Sequence, residues 1–259
     1  MTPTNVSVDI SPRRAYAMIL MLIGSIIISF GGLAIRNIEM ADNWQINFYR
    51  SISFGLAISI VLLFRYGKRG HQQLTGIGLQ GVLAAVLLGG ASISFLLAIT
   101  NTTVAATTFT LSSIPFLTAI MAWLFLGERI GKSTVITMVI AGVGISLMFV
   151  QGLGSGTFYG NFMAFLCALG FSYYTIIIRR NRSLEMLPTL ILSNLIIMLI
   201  ALIFTWDDLL ISWNDLLLCF VLGGLLSATV NTLFIIAAKH LFAAELTLFM
   251  LLEFTLGPI

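Results

Sequence analysis

The amino-acid sequence predicts an all-α, polytopic membrane protein. Of its 259 residues, 59% are hydrophobic and 9% are charged, whereas a soluble domain carries about 25% charged residues. The hydrophobic residues also fall into runs of about 20, which is the length of helix that crosses a bilayer. A single soluble core could not bury this much apolar surface, so lipid must surround much of the chain.

Nine apolar segments are predicted as membrane-spanning helices, with connections too short to hold a soluble domain. The segments are Tyr16–Ile35, Ile46–Phe64, Leu79–Ile99, Thr103–Leu126, Ser133–Val150, Tyr159–Ile178, Pro188–Trp206, Asp215–Ala238 and Leu241–Ile259. The ninth segment ends without a flanking anchor, so we expect this sequence to be truncated and the natural chain to continue through a tenth helix.

The basic residues predict the orientation of the helices, because short cytoplasmic loops of membrane proteins are enriched in Lys and Arg. With the N-terminus in the cytoplasm, the inner loops receive Arg13, Arg14, Arg65, Lys68, Arg69, Arg129, Lys132, Arg179, Arg180, Arg182 and Lys239. The outer loops receive Arg36 and the acidic residues Asp207, Asp208 and Asp215. This asymmetry predicts a cytoplasmic N-terminus.

A short internal echo relates two distant parts of the chain. The segment Phe95–Ile99 resembles Phe234–Ala238, and the offset between them aligns Ser92 with Asn231. The predicted orientation places the loop after the first segment outside and the loop after the second inside. The echo therefore predicts two halves of opposite topology, residues 1–151 with five helices and residues 152–259 with four, an arrangement typical of secondary transporters.

Polar residues recur at helical spacing inside several apolar segments. Hydroxyl groups and a proline within a membrane helix indicate contact with other helices or with a wet cavity rather than with lipid. The residues predicted to line a substrate-binding cavity are Ser92, Thr108, Ser112, Tyr173 and Asn231. For each hydroxyl the alternative is that it satisfies a backbone carbonyl, and for Tyr173 it is ordinary packing.

Ionisable residues within the apolar segments are a second group of candidates, since a charge at mid-membrane is costly unless it is paired or wet. Glu245 and Glu253 share one side of the ninth helix. Glu253 is predicted to face the cavity, where it either binds a cationic part of a substrate or carries a proton. Glu245 is a second proton-coupling candidate, and a purely structural role is the alternative for both. Arg50 is predicted to reach the outer headgroups with its long side chain.

Patterns typical of enzymes are missing from the sequence. The two histidines, His71 and His240, lie far apart, and no HExxH, GxSxG or Cys/His cluster occurs. Cys167 and Cys219 lie in apolar runs and are predicted to be buried thiols. We therefore expect no catalysis, no metal and no cofactor, and the absence of a basic tract predicts no nucleic-acid partner.

Four motifs extend across nearly the whole chain. They are Phe48-Tyr49-Arg50, the stretch from Ala98 to Gly127-Glu128-Arg129, Gly142-Val143-Gly144, and Glu253. Together with the spacing of the segments, they resemble the drug/metabolite transporter superfamily of the EamA type. The resemblance implies a five-plus-five inverted repeat in which helices one, three, four, six, eight and nine line a central cavity. One position departs from the family pattern, because Phe254 rather than proline follows Glu253.

The resemblance implies a function as well as a fold. We expect a secondary active transporter that exports amino acids or related small metabolites across the inner membrane by alternating access, with protons as a candidate coupling ion. Two alternatives remain open. A membrane-embedded lipid-handling enzyme or transferase would need a lateral opening and a His or carboxylate pair, and a non-transporting scaffold would lack a continuous polar path.

Overall fold

Helices joined by short turns make up the computed structural model, which describes residues 12–67, 76–128, 131–132, 134–136, 138–140, 143 and 157–256. Within these ranges the α-helices are α1 (Pro12–Arg36), α2 (Asn43–Tyr66), α3 (Gly78–Asn101), α4 (Val104–Leu111), α5 (Ile114–Leu126), α6 (Phe158–Arg180), α7 (Leu187–Thr205), α8 (Trp213–Phe220), α9 (Ala228–Ala237) and α10 (Ala243–Leu256). A π-helical segment, Val221–Ser227, joins α8 to α9.

The described part of the chain contains seven helical stretches that are long and apolar enough to cross a membrane. They are Pro12–Ile35, Asn43–Tyr66, Gly78–Asn101, Ala106–Leu126, Phe158–Arg180, Leu187–Thr205 and Trp213–Ala237. The predicted all-α polytopic fold is thereby confirmed. Most of the predicted fifth span, Ser133–Val150, lies outside the described residues, although 134–136, 138–140 and 143 are helical.

The outer faces of the helices carry large apolar side chains. Phe64 is 90% exposed, Leu79 is 82% exposed and Ile203 is 74% exposed. A soluble monomer rarely displays apolar patches on this scale, whereas lipid is a favourable solvent for them. The contacts between helices use small buried residues such as Ala84 and Ala168, which let helix backbones approach closely.

The predicted fourth span is interrupted near its middle. α4 ends at Leu111, and α5 begins at Ile114 with Pro115 in its first turn. Proline has no N–H to donate, and its ring would clash with the carbonyl four residues earlier in a continuous helix. The hydroxyls of Ser112 and Ser113 donate to carbonyls of the preceding turn, at 2.5 and 2.6 Å. The helix therefore breaks where the sequence places its proline.

The helices pack in a recurring pattern. α3 packs on α6 and α7, α2 packs on α7 and on the π-helical segment, and α1 packs on α9 and α10. The approach of α2 to the π-helical segment requires a glycine, because a Cβ at Gly223 would lie 2.1 Å from the Arg50 carbonyl oxygen and 2.2 Å from Ser53 Oγ. The missing side chain of Gly223 thus fixes the position of Arg50 in the bundle.

Asp215 ties the start of α8 to the loop between α1 and α2. Its buried carboxylate accepts hydrogen bonds from the backbone N–H groups of Glu39, Met40 and Ala41, at 3.3, 3.0 and 3.0 Å. We call this arrangement the Asp215 clasp. Because three charge-assisted hydrogen bonds converge on one side chain, the clasp holds the loop firmly against the second half of the chain.

Candidate functional site

A polar compartment of about 100 Å³ lies among α2, α3, α7, α9 and the π-helical segment. Its lining residues are Arg50, Phe54, Leu88, Ser92, Ser193, Asn194, Ser227 and Asn231. These positions lie well inside their helices; Ser92, for example, lies about 13 Å along the helix axis from the end of α3. Polar groups at this depth are normally expensive in a membrane protein, so their convergence on one space indicates a functional site.

An apolar compartment of about 190 Å³ adjoins the polar one. The two compartments share Arg50, Leu88, Ser92 and Asn231, and the apolar one is completed by Ala91, Phe95, Leu111, Ile114, Cys167, Phe171 and Met250. We call the two compartments together the central chamber. Asn231, Phe171 and Met250 also line a neighbouring cavity of about 150 Å³ beside α1.

Local hydrogen bonds hold the amides of the central chamber in place. The Asn231 side-chain N–H donates to the Ser227 carbonyl at 2.9 Å, and that of Asn194 donates to the Leu190 carbonyl at the same distance. The donors therefore bond their own helices, as is common for polar residues in membrane spans. The amide oxygens accept no hydrogen bond within the described part of the chain, so they can accept one from a ligand.

Arg50 is the cation of the central chamber. Its Nη2 donates to Asn47 Oδ1 at 3.1 Å, and none of the ion pairs among the described residues includes it. In the structure Arg50 lines both compartments, and its predicted contact with the outer headgroups stays a prediction. At Arg50 the backbone of α2 lies against Gly223, where a Cβ would not fit.

The predicted residues Ser92 and Asn231 meet at the central chamber, where both line both compartments. They are aligned by the internal offset of the sequence. The same offset aligns Phe54 with Ser193 and Leu88 with Ser227, and all of these residues line the polar compartment. Positions that correspond between the predicted halves therefore face one shared space.

The sequence prediction missed Ser193 and Asn194. Both residues lie in α7, which the predicted repeat left outside the cavity, and both are at least 94% buried, with exposures of 0% and 6%. Two features of the sequence point to these residues. A Ser-Asn pair interrupts an otherwise apolar segment, and the internal offset relates Ser193 to Phe54 of the second span.

Three other predicted substrate-binding residues are not among the described lining residues of the central chamber. Thr108 Oγ1 donates to the Val104 carbonyl at 2.8 Å, and Ser112 likewise bonds its own turn. Tyr173 lines a separate groove of about 380 Å³, where its ring packs edge-on against Phe125 with centroids 5.6 Å apart. A substrate-binding role for these three residues stays a prediction.

The two predicted proton-coupling carboxylates have different outcomes. Glu253 belongs to α10, but its side chain lies outside the described part of the structure. Glu245 lies in the first turn of α10 and forms an ion pair with Arg14 of α1. Its second oxygen accepts from the Phe242 backbone N–H at 3.1 Å. Glu245 therefore lies at a helix end rather than beside the central chamber, and its role in proton coupling stays a prediction.

A second ion pair crosses the same end of the bundle. Arg179 Nε donates to Glu128 Oε1 at 2.8 Å, and Arg179 Nη1 donates to the Ala238 carbonyl at 2.9 Å. Glu128 Oε2 accepts from the Ala243 backbone N–H at 3.1 Å. These contacts join the end of α5, the end of α6 and the turn between α9 and α10.

Phe242 connects the two ion pairs. The guanidinium carbons of Arg14 and Arg179 lie 5.4 and 5.6 Å from the centre of its ring, within cation–π range. We call Arg14, Glu128, Arg179, Phe242 and Glu245 the basic-end network. It draws residues from both predicted halves, and it closes this end of the bundle around α10.

The described residues contain no group of three or more His, Cys, Asp or Glu side chains that could hold a metal ion. The chemistry available in the central chamber is therefore that of hydroxyls, amides and one guanidinium beside apolar and aromatic surface. Such a set binds and orients a small molecule through hydrogen bonds and charge.

The fold and the site define a multi-pass membrane protein with a polar chamber enclosed among its helices. Residues 15–150 match the model of the EamA-like transporter family. The chain belongs to this family, and it is a membrane transporter of the drug/metabolite transporter type. A search of curated proteins finds no match.

Solved structures share the fold. Among the 22 matching chains, one described as "Crystal structure of protein" superposes with a TM-score of 0.77 at 16% sequence identity. The match covers 94% of this chain and 86% of the other. At this identity the likeness concerns the arrangement of the helices alone.

Proposed function

We propose that the protein is a secondary active transporter that exports amino acids or related small metabolites by alternating access, with the central chamber as its substrate site. It would reside in the cell inner membrane with its N-terminus in the cytoplasm. Support for a transporter comes from the family match, and support for the site comes from the convergence of buried polar residues. The direction and the substrate class follow the family resemblance of the motifs.

The observation that carries this proposal is that residues lining the chamber correspond to one another between the two predicted halves. Three pairs of lining residues, Phe54 and Ser193, Leu88 and Ser227, and Ser92 and Asn231, are related by one sequence offset. Carriers built from inverted repeats bind substrate where the repeats meet, near mid-membrane. A substrate site between two repeats would be lined by corresponding positions of both repeats, as this chamber is.

The basic-end network supplies the closed gate of this mechanism. In the proposed orientation it lies on the cytoplasmic side, since it contains the basic residues that favour that side. To load substrate from the cytoplasm, the carrier must separate the Glu128–Arg179 and Arg14–Glu245 pairs. Alternating access then consists of breaking and reforming these contacts as one half rocks against the other.

Proton coupling is proposed to act through the carboxylates of α10. Protonation of Glu245 would neutralise the carboxylate that holds Arg14 and so favour the opening of the basic end. Glu253 lies about 12 Å further along the same helix and would carry the proton deeper into the bundle. Both roles rest on the position of these glutamates in one apolar helix.

Transport by purified protein tests the proposal. Proteoliposomes are loaded with radiolabelled amino acids and the protein-dependent release is followed at several pH values, for the wild type, Glu253→Gln and a control, Glu39→Gln, which changes an exposed loop carboxylate. We expect release by the wild type and the control, and a lower and less pH-dependent release by Glu253→Gln. Equal rates and equal pH dependence in all three would remove Glu253 from the mechanism, and no release by the wild type would contradict the carrier function.

A further inference from the structure

We propose that Arg50 is the anion-binding subsite of the central chamber, so that the transported molecules carry a carboxylate beside an apolar body. This inference rests on the proposed carrier function and specifies its substrate class. It is argued from the charge, the contacts and the shape of the chamber.

The central chamber holds a positive charge without a described counter-charge. Its lining residues include one guanidinium and no carboxylate within the described part of the chain. Among the described residues, the one side chain that Arg50 hydrogen-bonds is the neutral amide of Asn47. The ion pairs of the described residues lie elsewhere and involve Arg14, Arg65 and Arg179.

An arginine that forms no ion pair with the described residues is costly inside a membrane protein, and such residues are normally retained for a function. A guanidinium has five N–H donors in a planar fork that matches the two oxygens of a carboxylate. Asn47 accepts from one nitrogen of this fork, Nη2, and Arg50 lines both compartments of the chamber. A bound carboxylate would supply a negative charge and two acceptors to this guanidinium, so the chamber suits an anion.

The internal offset of the sequence predicts that the charge belongs to one half alone. The offset that aligns Ser92 with Asn231 aligns Arg50 with Thr189. Thr189 is fully buried, and its hydroxyl has no hydrogen-bond partner in the described structure. The chamber is thus lined by neutral residues from corresponding positions of the two predicted halves, and by one cation from the first half. This asymmetry gives a bound carboxylate a defined orientation.

The shape of the chamber assigns the rest of the ligand. From Arg50 the space continues into the apolar compartment, where Phe95, Phe171 and Met250 line the walls. A ligand whose carboxylate lies at Arg50 would place an aliphatic or aromatic body there, because polar groups would find few partners. The Asn231 amide lies between the two compartments and can accept from an amino group on the ligand.

A pair of isosteric probes separates this inference from a general polar site. Proteoliposomes are loaded with 3-phenylpropionate, 3-phenylpropionamide and the twenty standard amino acids, and release is quantified by mass spectrometry. The variants are Arg50→Gln, which removes the charge, and Arg50→Lys, which keeps it without the fork. Arg65→Gln is the matched control, since Arg65 lies at the far end of the same helix, is 43% exposed and pairs with Glu185.

Release is counted only above that of protein-free liposomes, because the neutral amide crosses lipid unaided. By this measure we expect the wild type and Arg65→Gln to release carboxylates with apolar side chains and not the amide probe. Arg50→Gln is expected to lose about tenfold or more of the carboxylate flux, and Arg50→Lys to retain an intermediate flux, because charge-assisted hydrogen bonds depend on both charge and geometry. Release of the same compounds by Arg50→Gln and the wild type, or release of the amide as fast as the carboxylate, would overturn the proposal while leaving the carrier function intact.

Binding to the detergent-purified protein keeps the proposal testable if folding or flux is affected. Thermal unfolding is followed with 3-phenylpropionate and with its amide. The carboxylate is expected to raise the Tm of the wild type and of Arg65→Gln but not that of Arg50→Gln, whose ligand-free Tm reports its folding. A carboxylate-specific shift supports the subsite even if no compound is released, a result that would contradict the carrier function alone. Equal shifts with both probes refute the subsite.

Discussion

Single polar residues are tolerated in these apolar helices because each side chain donates a hydrogen bond to a backbone carbonyl of its own helix. Asn231 donates to Ser227, Asn194 donates to Leu190, and Thr232 donates to Ala228 at 2.7 Å. Such a bond offsets the cost of placing the donor away from water. The amide oxygen is left over, and in Asn231 it belongs to a residue that lines three cavities. In one Asn side chain, the N–H group thus bonds the helix while the oxygen stays available to a ligand.

Replacing Asn231 by alanine is expected to raise the KM for a transported amino acid about three- to tenfold, because one hydrogen bond contributes about 0.5–1.5 kcal/mol. Flux in proteoliposomes over a range of substrate concentrations measures the change. Asn37→Ala is the matched control, since Asn37 makes the same kind of bond to its own helix, at 2.7 Å, on an exposed surface. A KM for Asn231→Ala equal to that of the control would exclude Asn231 from the substrate site.

At the scale of the elements, the π-helical segment shapes the central chamber. Its two glycines, Gly223 and Gly224, face α2, and its last residue, Ser227, lines the polar compartment. π-Helical turns are rare and occur frequently at functional sites. Here α2 lies against the segment, and Arg50 of α2 lines a space that the family resemblance assigns to other helices.

Gly223→Ala is expected to lower the stability of the protein by about 1–3 kcal/mol, since the new methyl group would overlap the Arg50 carbonyl and push α2 outward. The measurement is the Tm of the purified variant, together with its transport rate. In Gly55→Ala, on the same pair of helices, the added methyl meets nothing within 4 Å, so its Tm is expected to stay the same or rise slightly. Equal Tm values for the two variants would show that the close contact does not constrain α2.

At the scale of the whole molecule, the sequence predicted the helices better than it predicted the site. A helix must reach a minimum length to cross the bilayer, so the lengths of the apolar runs locate the spans. Proline cannot continue a regular helix, so Pro115 locates the break in the fourth span. The site depends on which helix faces meet. That depends on contacts such as Gly223 with Arg50, between residues far apart in the chain, which no local pattern encodes. The internal offset is the exception, since it related Ser92 to Asn231 before their positions were known.

The closed state is expected to depend on the Glu128–Arg179 pair. Arg179→Gln leaves the Glu128 carboxylate without its charge partner, so the basic end should open more often and transport should become faster or uncoupled from pH. Ala244, which is 5% exposed and lies beside the network, provides the reporter as Ala244→Cys. We expect a membrane-impermeant maleimide to label it several-fold faster when Arg179→Gln is also present.

Arg180→Gln in the same reporter background is the matched control, because Arg180 is the exposed neighbour of Arg179. The native thiols Cys167 and Cys219 are buried, but Cys167 lines the central chamber, so the labelling of each variant is corrected by that of the same variant without Ala244→Cys. Equal labelling rates for the Arg179 and Arg180 variants would show that the ion pair does not hold this end closed.

The Asp215 clasp has a consequence for how the two halves can move. It fastens the first extramembrane loop, at Glu39–Ala41, to the start of the eighth predicted span, and so it links the two predicted halves at the end opposite the basic-end network. The helices joined by the clasp are expected to rotate about this contact and not to separate there. If the protein exports its substrate as proposed, the solute would leave on the far side of the bundle, past the end of α3 and the starts of α4 and α6.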